Sequence, residues 1–252
     1  MGGCLTLRSN ELFGMWQNTR MIVLTAVVAA MFVAVLLPFK GLVIIPGYTE
    51  LRPASLVPLV CSLLFGPAAA WGSAIGNLVG DVLGGMFGLG SIFGMLGNFM
   101  LGYLPYKLLE NLFRKNTNAT SYLLNVIVGI LAALACASVI AWGVDLLGLV
   151  PFPVLGVPIA VNNSVVALFY PLLFFLLHPR ISKMKLLYSQ VIPSYQPRSG
   201  AWAQIIGPFL VIIGSLGALS CGILLGVVEG AGAIKLAVTP FIAAVFAGCL
   251  ML

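Results

Sequence analysis

Asn77 and Asp81 stand four residues apart in GSAIGNLVGDVLGG, Gly72 to Gly85, where the only other polar side chain is Ser73. Asn98, Asn162 and Asn163 lie in later apolar runs, and Glu50 and Arg52 precede the stretch. A carboxylate, a guanidinium and several amides supply donors, acceptors and both signs of charge, the set that holds a small polar solute. Asp81 alone is also the kind of group that relays a proton or pairs with a cation inside a membrane carrier. Enzyme chemistry finds no footing. None of the six lysines follows a glycine, so the chain has no Gly-Lys-Ser/Thr phosphate loop and does not itself hydrolyse ATP. A lone histidine, His178, rules out an HExxH zinc motif, and no Ser-His-acid set assembles on one side of a membrane. Cys4, Cys61, Cys136, Cys221 and Cys249 are far apart with no CxxC, and they read as apolar thiols with no metal site.

The elements that must position these side chains are membrane helices. The chain is 61% hydrophobic and 7% charged with a mean hydropathy of +1.14, against about 25% charged residues in soluble domains. Apolar runs of about 20 residues recur along it, where barrel strands would alternate over segments of about 10. The runs predict spans near 21–37, 54–65, 68–84, 91–109, 122–147, 159–177, 201–228 and 231–252, with Phe39 to Pro53 as the first outer loop. Gly66-Pro67, Pro105, the Gly85/Gly88/Gly90 turn and the Pro151/Pro153/Pro158 loop mark the breaks. Starting from a cytoplasmic N-terminus, nine of the twelve basic residues fall inside and Lys40, Arg52 and Lys235 outside. The net charge of +6 therefore sets orientation; scattered as it is, it does not bind nucleic acid. The expected fold is an all-α integral membrane protein of about eight spans with both termini cytoplasmic. It comprises an N-terminal segment (1–20), a six-helix core (21–180), a cytoplasmic linker (181–200) and an additional C-terminal hairpin (201–252).

In this topology Asp81, Asn77, Asn98, Asn162 and Asn163 all gather toward the outer face, together with Arg52, Glu50 and Asp145 in or beside the outer loops. Unpaired polar groups in hydrocarbon are costly and turn toward a bundle interior or a wet cavity, so an outward-opening pocket accommodates them. Gly72, Gly76, Gly80 and Gly84 form a four-residue repeat that lets two helix backbones approach, and Asn77 and Asp81 lie about 100° round from it. The bland readings remain beside this one: interhelical hydrogen bonding for the asparagines, and an Asp81–Arg52 pair that only fixes the fold. Trp71, at the inner end of its helix, reads as an interfacial anchor, and Glu229 and Lys235 as turn residues.

Ala26, Ala30 and Ala34 form a small-residue stripe on the first span. After it, LRPASLVPLVCSLLFGPAAAWGSAIGNLVGD runs from Arg-Pro through Leu-Phe-Gly-Pro to a small-residue helix ending in Asp81. In this order, within a six-span unit, about residues 20–180 resemble the substrate-binding membrane subunit (S component) of energy-coupling factor transporters, prokaryotic importers of vitamins and micronutrients. The resemblance implies high-affinity binding of a vitamin-like molecule near the outer face under the first loop. It implies docking through Ala26, Ala30 and Ala34 onto a transmembrane coupling subunit that carries two cytoplasmic ATPases, so that ATP is used by the partners and no cofactor by this chain. The last two spans depart from the six-helix core.

The expected function is thus the substrate-capture subunit of an ATP-driven micronutrient importer in the plasma membrane. Asp81, Asn77, Asn98, Asn163 and Arg52 are the expected binding residues, and Tyr48 in the loop the expected stacking platform. A self-contained secondary transporter or channel, with Asp81 coupling transport to protons or cations, is the alternative from another class, and a ligand-free scaffold is a third. The residue pattern is too generic to choose among riboflavin-like, thiamine-like, nucleobase-like and corrin-like ligands.

Overall fold

The computed structural model describes residues 9–45, 49–113, 122–192, 201–228 and 231–252, and over these the chain is almost wholly α-helical. The helices are α1 (Ser9–Gly14), α2 (Thr19–Leu36), α3 (Leu56–Phe65), α4 (Pro67–Leu83), α5 (Gly90–Phe113), α6 (Tyr122–Leu146), α7 (Phe152–Lys183), α8 (Tyr188–Val191), α9 (Ala201–Val228) and α10 (Ala231–Met251). Thr19–Phe39, Tyr122–Leu146, Phe152–Val191 and Trp202–Gly226 are long and apolar enough to cross a bilayer, and Pro53–Phe65 and Leu236–Met251 are shorter apolar helices. Between α2 and α3 the chain forms a two-stranded antiparallel sheet, β1 (Val43–Ile45) and β2 (Thr49–Glu50), in which Val43 faces Glu50.

Local chemistry sets most boundaries. Asn18 caps α2, its Oδ1 accepting from the N–H groups of Arg20 and Met21 at 3.0 and 3.4 Å. Gly66 separates α3 from α4 with φ +55°, and a Cβ there would lie 2.8 Å from the Tyr188 ring, so both backbone and space require glycine. Pro67 then opens α4 at a position where its missing N–H costs nothing.

Two breaks expected from proline do not occur. Helix α5 continues through Pro105, and α7 begins at Phe152 and continues through Pro158, Pro171 and Pro179. In hydrocarbon a broken helix would leave backbone groups without partners, so the chain stays helical and neighbouring side chains absorb the defect. Ser62 Oγ accepts from the Tyr106 N–H at 3.2 Å, immediately after Pro105. The earlier start of α7 places Asn162 and Asn163 about three turns into the helix instead of in its first turn.

Helix α2 packs on α4, α4 on α5, α5 on α6 and α6 on α7, while α3 is held among α4, α5 and α7. The α2–α4 seam is the glycine stripe. A Cβ at Gly72 would stand 2.6 Å from Val28 Cβ, and one at Gly76 would stand 2.9 Å from Phe32 Cβ and 3.0 Å from the Ala29 carbonyl oxygen. Gly80 lies against Leu36, and Gly84 against the stem of Lys40. Gly76→Ala should therefore destabilise the protein by about 1–3 kcal/mol, because backbone at Ala29 cannot step aside. A lowered unfolding midpoint in detergent is the expected readout; an unchanged midpoint would mean that the seam is loose.

At the other end of the bundle Glu11 joins three elements. Its carboxylate receives Lys107 Nζ at 2.6 Å and the hydroxyls of Tyr106 and Tyr188, each at 3.1 Å. Trp71, expected as a membrane-interface anchor, instead donates to the Leu12 carbonyl at 2.9 Å and packs its ring against Phe13, Trp16 and Phe99. Helix α1 and the turn after it lie against Trp71, so its indole is satisfied within the protein. Helices α9 and α10 pair with each other and lean on α6, with α9 also on α5 and α7. Trp142 donates to Thr239 across this contact at 3.1 Å, and Ser138 to the Ser215 carbonyl at 3.3 Å.

Candidate functional site

The C-terminal end of α4 is the centre of a buried polar network. Asn77, fully buried, shares one turn of α4 with Asp81, and its Nδ2 donates to Asp81 Oδ2 at 3.3 Å. Its Oδ1 accepts from Asn98 Nδ2 of α5 at 3.0 Å and from Arg52 at 3.2 Å. Gly94 makes this contact possible, since a Cβ there would stand 2.8 Å from Asn77 Nδ2. Asn98 also donates to the Gly94 carbonyl at 2.8 Å, which fixes its orientation.

Four charges complete the network. Lys40 Nζ lies 3.3 Å from Asp81 and 3.6 Å from Glu50, while Arg52 lies 3.1 Å from Glu50 and 4.0 Å from Asp81. Two cations and two carboxylates give a neutral quartet, the arrangement in which buried charge is least costly. Lys40 reaches it by laying its stem along Gly84, and it also donates to Met86 Sδ at 3.4 Å. Glu50 reaches it because β2 turns that residue inward; its side chain has no solvent exposure and its backbone carbonyl accepts from Asn162 Nδ2 at 3.4 Å. Glu50 Oε2 is nonetheless a buried oxygen without a hydrogen-bond partner among the described residues. Such an atom costs on the order of 1–3 kcal/mol, so the network is incomplete as it stands.

Beside the network lies a cavity of about 440 Å³, within the range of small-molecule sites. Arg52 and Asp81 form its polar wall, and Ile140, Val144, Leu155 and Ile159 of α6 and α7 its aliphatic wall. The α4–α5 connection, Gly85 to Leu89, borders it. This shape accepts a molecule with one hydrogen-bonding edge and apolar faces.

Asn77, Asp81, Asn98 and Arg52, singled out by sequence, thus meet in one network. Asn163 lies next to it: it accepts from Ser55 Oγ at 2.7 Å and its Nδ2 approaches Cys136 Sγ at 3.6 Å. Tyr48 lies outside the described residues. Ala26, Ala30 and Ala34 are all exposed on α2, on a face turned away from the α4 seam. Lys40, Glu50 and Ser55 were not among the expected binding residues, because in sequence they look like solvated loop residues.

The chain shows no significant match to any curated protein or solved structure. A family model described as QueT transporter matches residues 22–179, a segment running from α2 through nearly all of α7 and containing every residue of the network. The chain belongs to the QueT transporter family, whose members are S components of the energy-coupling factor type.

Proposed function

We propose that this protein captures a queuosine precursor, a guanine-derived base, in the cavity beside Asp81 and passes it to a separate coupling subunit driven by two cytoplasmic ATPases. The observation that carries the reading is the neutral buried quartet, in which Glu50 Oε2 has no hydrogen-bond partner among the described residues and two of whose members, Arg52 and Asp81, line a half-polar, half-aliphatic cavity. A planar base matches those walls: its faces rest on Ile140 and Ile159, and its amide edge meets Asp81 and Arg52, which Asn77 and Asn98 hold from behind. Lys40, Glu50 and Arg52 tie β2 and the residues flanking the hairpin to α4 beside the cavity.

In this reading the core spans about residues 21–180 and crosses the membrane six times, the hairpin 201–252 adds two crossings, and both ends are cytoplasmic. The bias of basic residues supports that orientation in a prokaryotic plasma membrane. Helices α9 and α10 lean on α5, α6 and α7, which leaves the alanine stripe of α2 free for the coupling subunit.

The test is isothermal titration of the detergent-purified chain with the precursor base, and mass spectrometry of small molecules released on denaturation. One base per chain, lost in Asp81→Ala with the fold intact by circular dichroism, is the expected result. Absence of binding, with ion-gradient-driven uptake by the chain alone in vesicles, would overturn it in favour of a secondary carrier.

A further inference from the structure

We infer that a second site, an apolar groove between α2, α3 and the last turns of α7, holds an acyl chain of an anionic phospholipid. The groove encloses about 650 Å³ and is walled by aliphatic side chains, among them Val27 and Met31 of α2, Val60 and Leu64 of α3, and Leu173 and Leu177 of α7. Of the residues that line it, Arg20 alone carries a charge, and it lies at one end. From Arg20 to Val35 the groove follows α2 for about 22 Å at ~1.5 Å per residue, more than the ~15 Å of hydrocarbon in one leaflet.

Charge at the mouth selects the occupant. Arg20 is exposed and has no carboxylate partner among the described residues. On the facing wall, Ile181 in the last turn of α7 and Leu186 just beyond that helix are interspersed in sequence with Arg180, Lys183 and Lys185, all exposed and likewise without a carboxylate partner among the described residues. The two acids described near this end, Glu11 and Glu110, are engaged by Lys107. Arg20 in the lining and three exposed cations within a few residues of Ile181 and Leu186, none with a carboxylate partner among the described residues, match a phosphate headgroup above an acyl tail. The walls offer a polar solute nothing to bind. Anionic lipids concentrate in the cytoplasmic leaflet, where the proposed orientation puts Arg20.

The experiment is native mass spectrometry of the full chain in non-ionic detergent, titrated with phosphatidylglycerol or with phosphatidylcholine of the same acyl chains. One phosphatidylglycerol should be retained per chain at concentrations where phosphatidylcholine is not. Arg20→Ala should weaken retention about fivefold, equivalent to about 1 kcal/mol for one basic residue. Val27→Trp, which fills the groove, should abolish it, while Leu250→Trp on the outer side of α10 should not. Equal retention of both lipids, or a bound lipid that survives Val27→Trp, would overturn the site. So would a lipid-free groove that becomes protected only when the coupling subunit docks, which would make it a helix-binding surface. The headgroup comparison uses the unaltered chain and stands even where a groove variant fails to fold.

Discussion

Arg52→Met should lower affinity for the substrate at least about a hundredfold, because one side chain serves three partners. Its guanidinium pairs with Glu50, approaches Asp81 and donates to Asn77. Removing it leaves Glu50, whose side chain has no solvent exposure, with Lys40 at 3.6 Å as its one cation among the described residues. Truncating one partner of a buried pair typically costs about 3–5 kcal/mol, so the variant should also unfold at lower temperature. A purely structural role predicts the same loss of stability, and a second substitution separates the two. Glu50→Gln combined with Arg52→Met removes the stranded charge and restores a neutral set, so stability should largely return. Substrate affinity should not, since the polar wall of the cavity still lacks its donor. Recovery of both in the double variant, measured by thermal unfolding and titration calorimetry, would show that Arg52 serves the fold alone.

Asp81, Asn77, Asn98 and Arg52 were legible in the sequence because polar side chains inside apolar runs are costly, and a shared outer depth implies a shared partner. The glycine stripe was legible for a related reason: a four-residue repeat of missing side chains has to face something close. Its partner carried a signal that went unread. The residues opposite the stripe, Val28, Phe32, Leu36 and Lys40, repeat every four residues on α2 and its continuation. Extending that register past Pro38 sets Lys40 against Gly84 and so within reach of Asp81. Glu50 gave no such signal, since its inward turn depends on the pairing of β1 with β2 in a segment rich in loop residues. The prolines misled in the opposite direction. Pro105 and Pro158 would end helices in water, but in a bilayer the demand for internal hydrogen bonds and the nearby Ser62 hydroxyl keep the chain helical.

Ala30→Trp should reduce coupled uptake by more than about a hundredfold while leaving substrate binding unchanged. Ala26, Ala30 and Ala34 lie on the exposed face of α2, whereas Val28, Phe32 and Leu36 of the same helix are buried against α4. A tryptophan at position 30 therefore disturbs neither the glycine seam nor the cavity, which lies among α4, α5, α6 and α7. Its effect is confined to whatever approaches the stripe. Close helix–helix contact in lipid depends on small residues, and one indole holds the two backbones several ångströms apart, so there is no partial fit to fall back on. The measurement is uptake in cells carrying the coupling subunit and ATPases, with calorimetric binding by the purified variant as control. Leu172→Trp, placed on an exposed position of α7 away from the stripe, should transport normally. Normal uptake by Ala30→Trp would remove the docking role from this face. Loss of binding along with uptake would mean that the substitution reaches the cavity through α2, and the separation of capture from coupling proposed for this chain would fail.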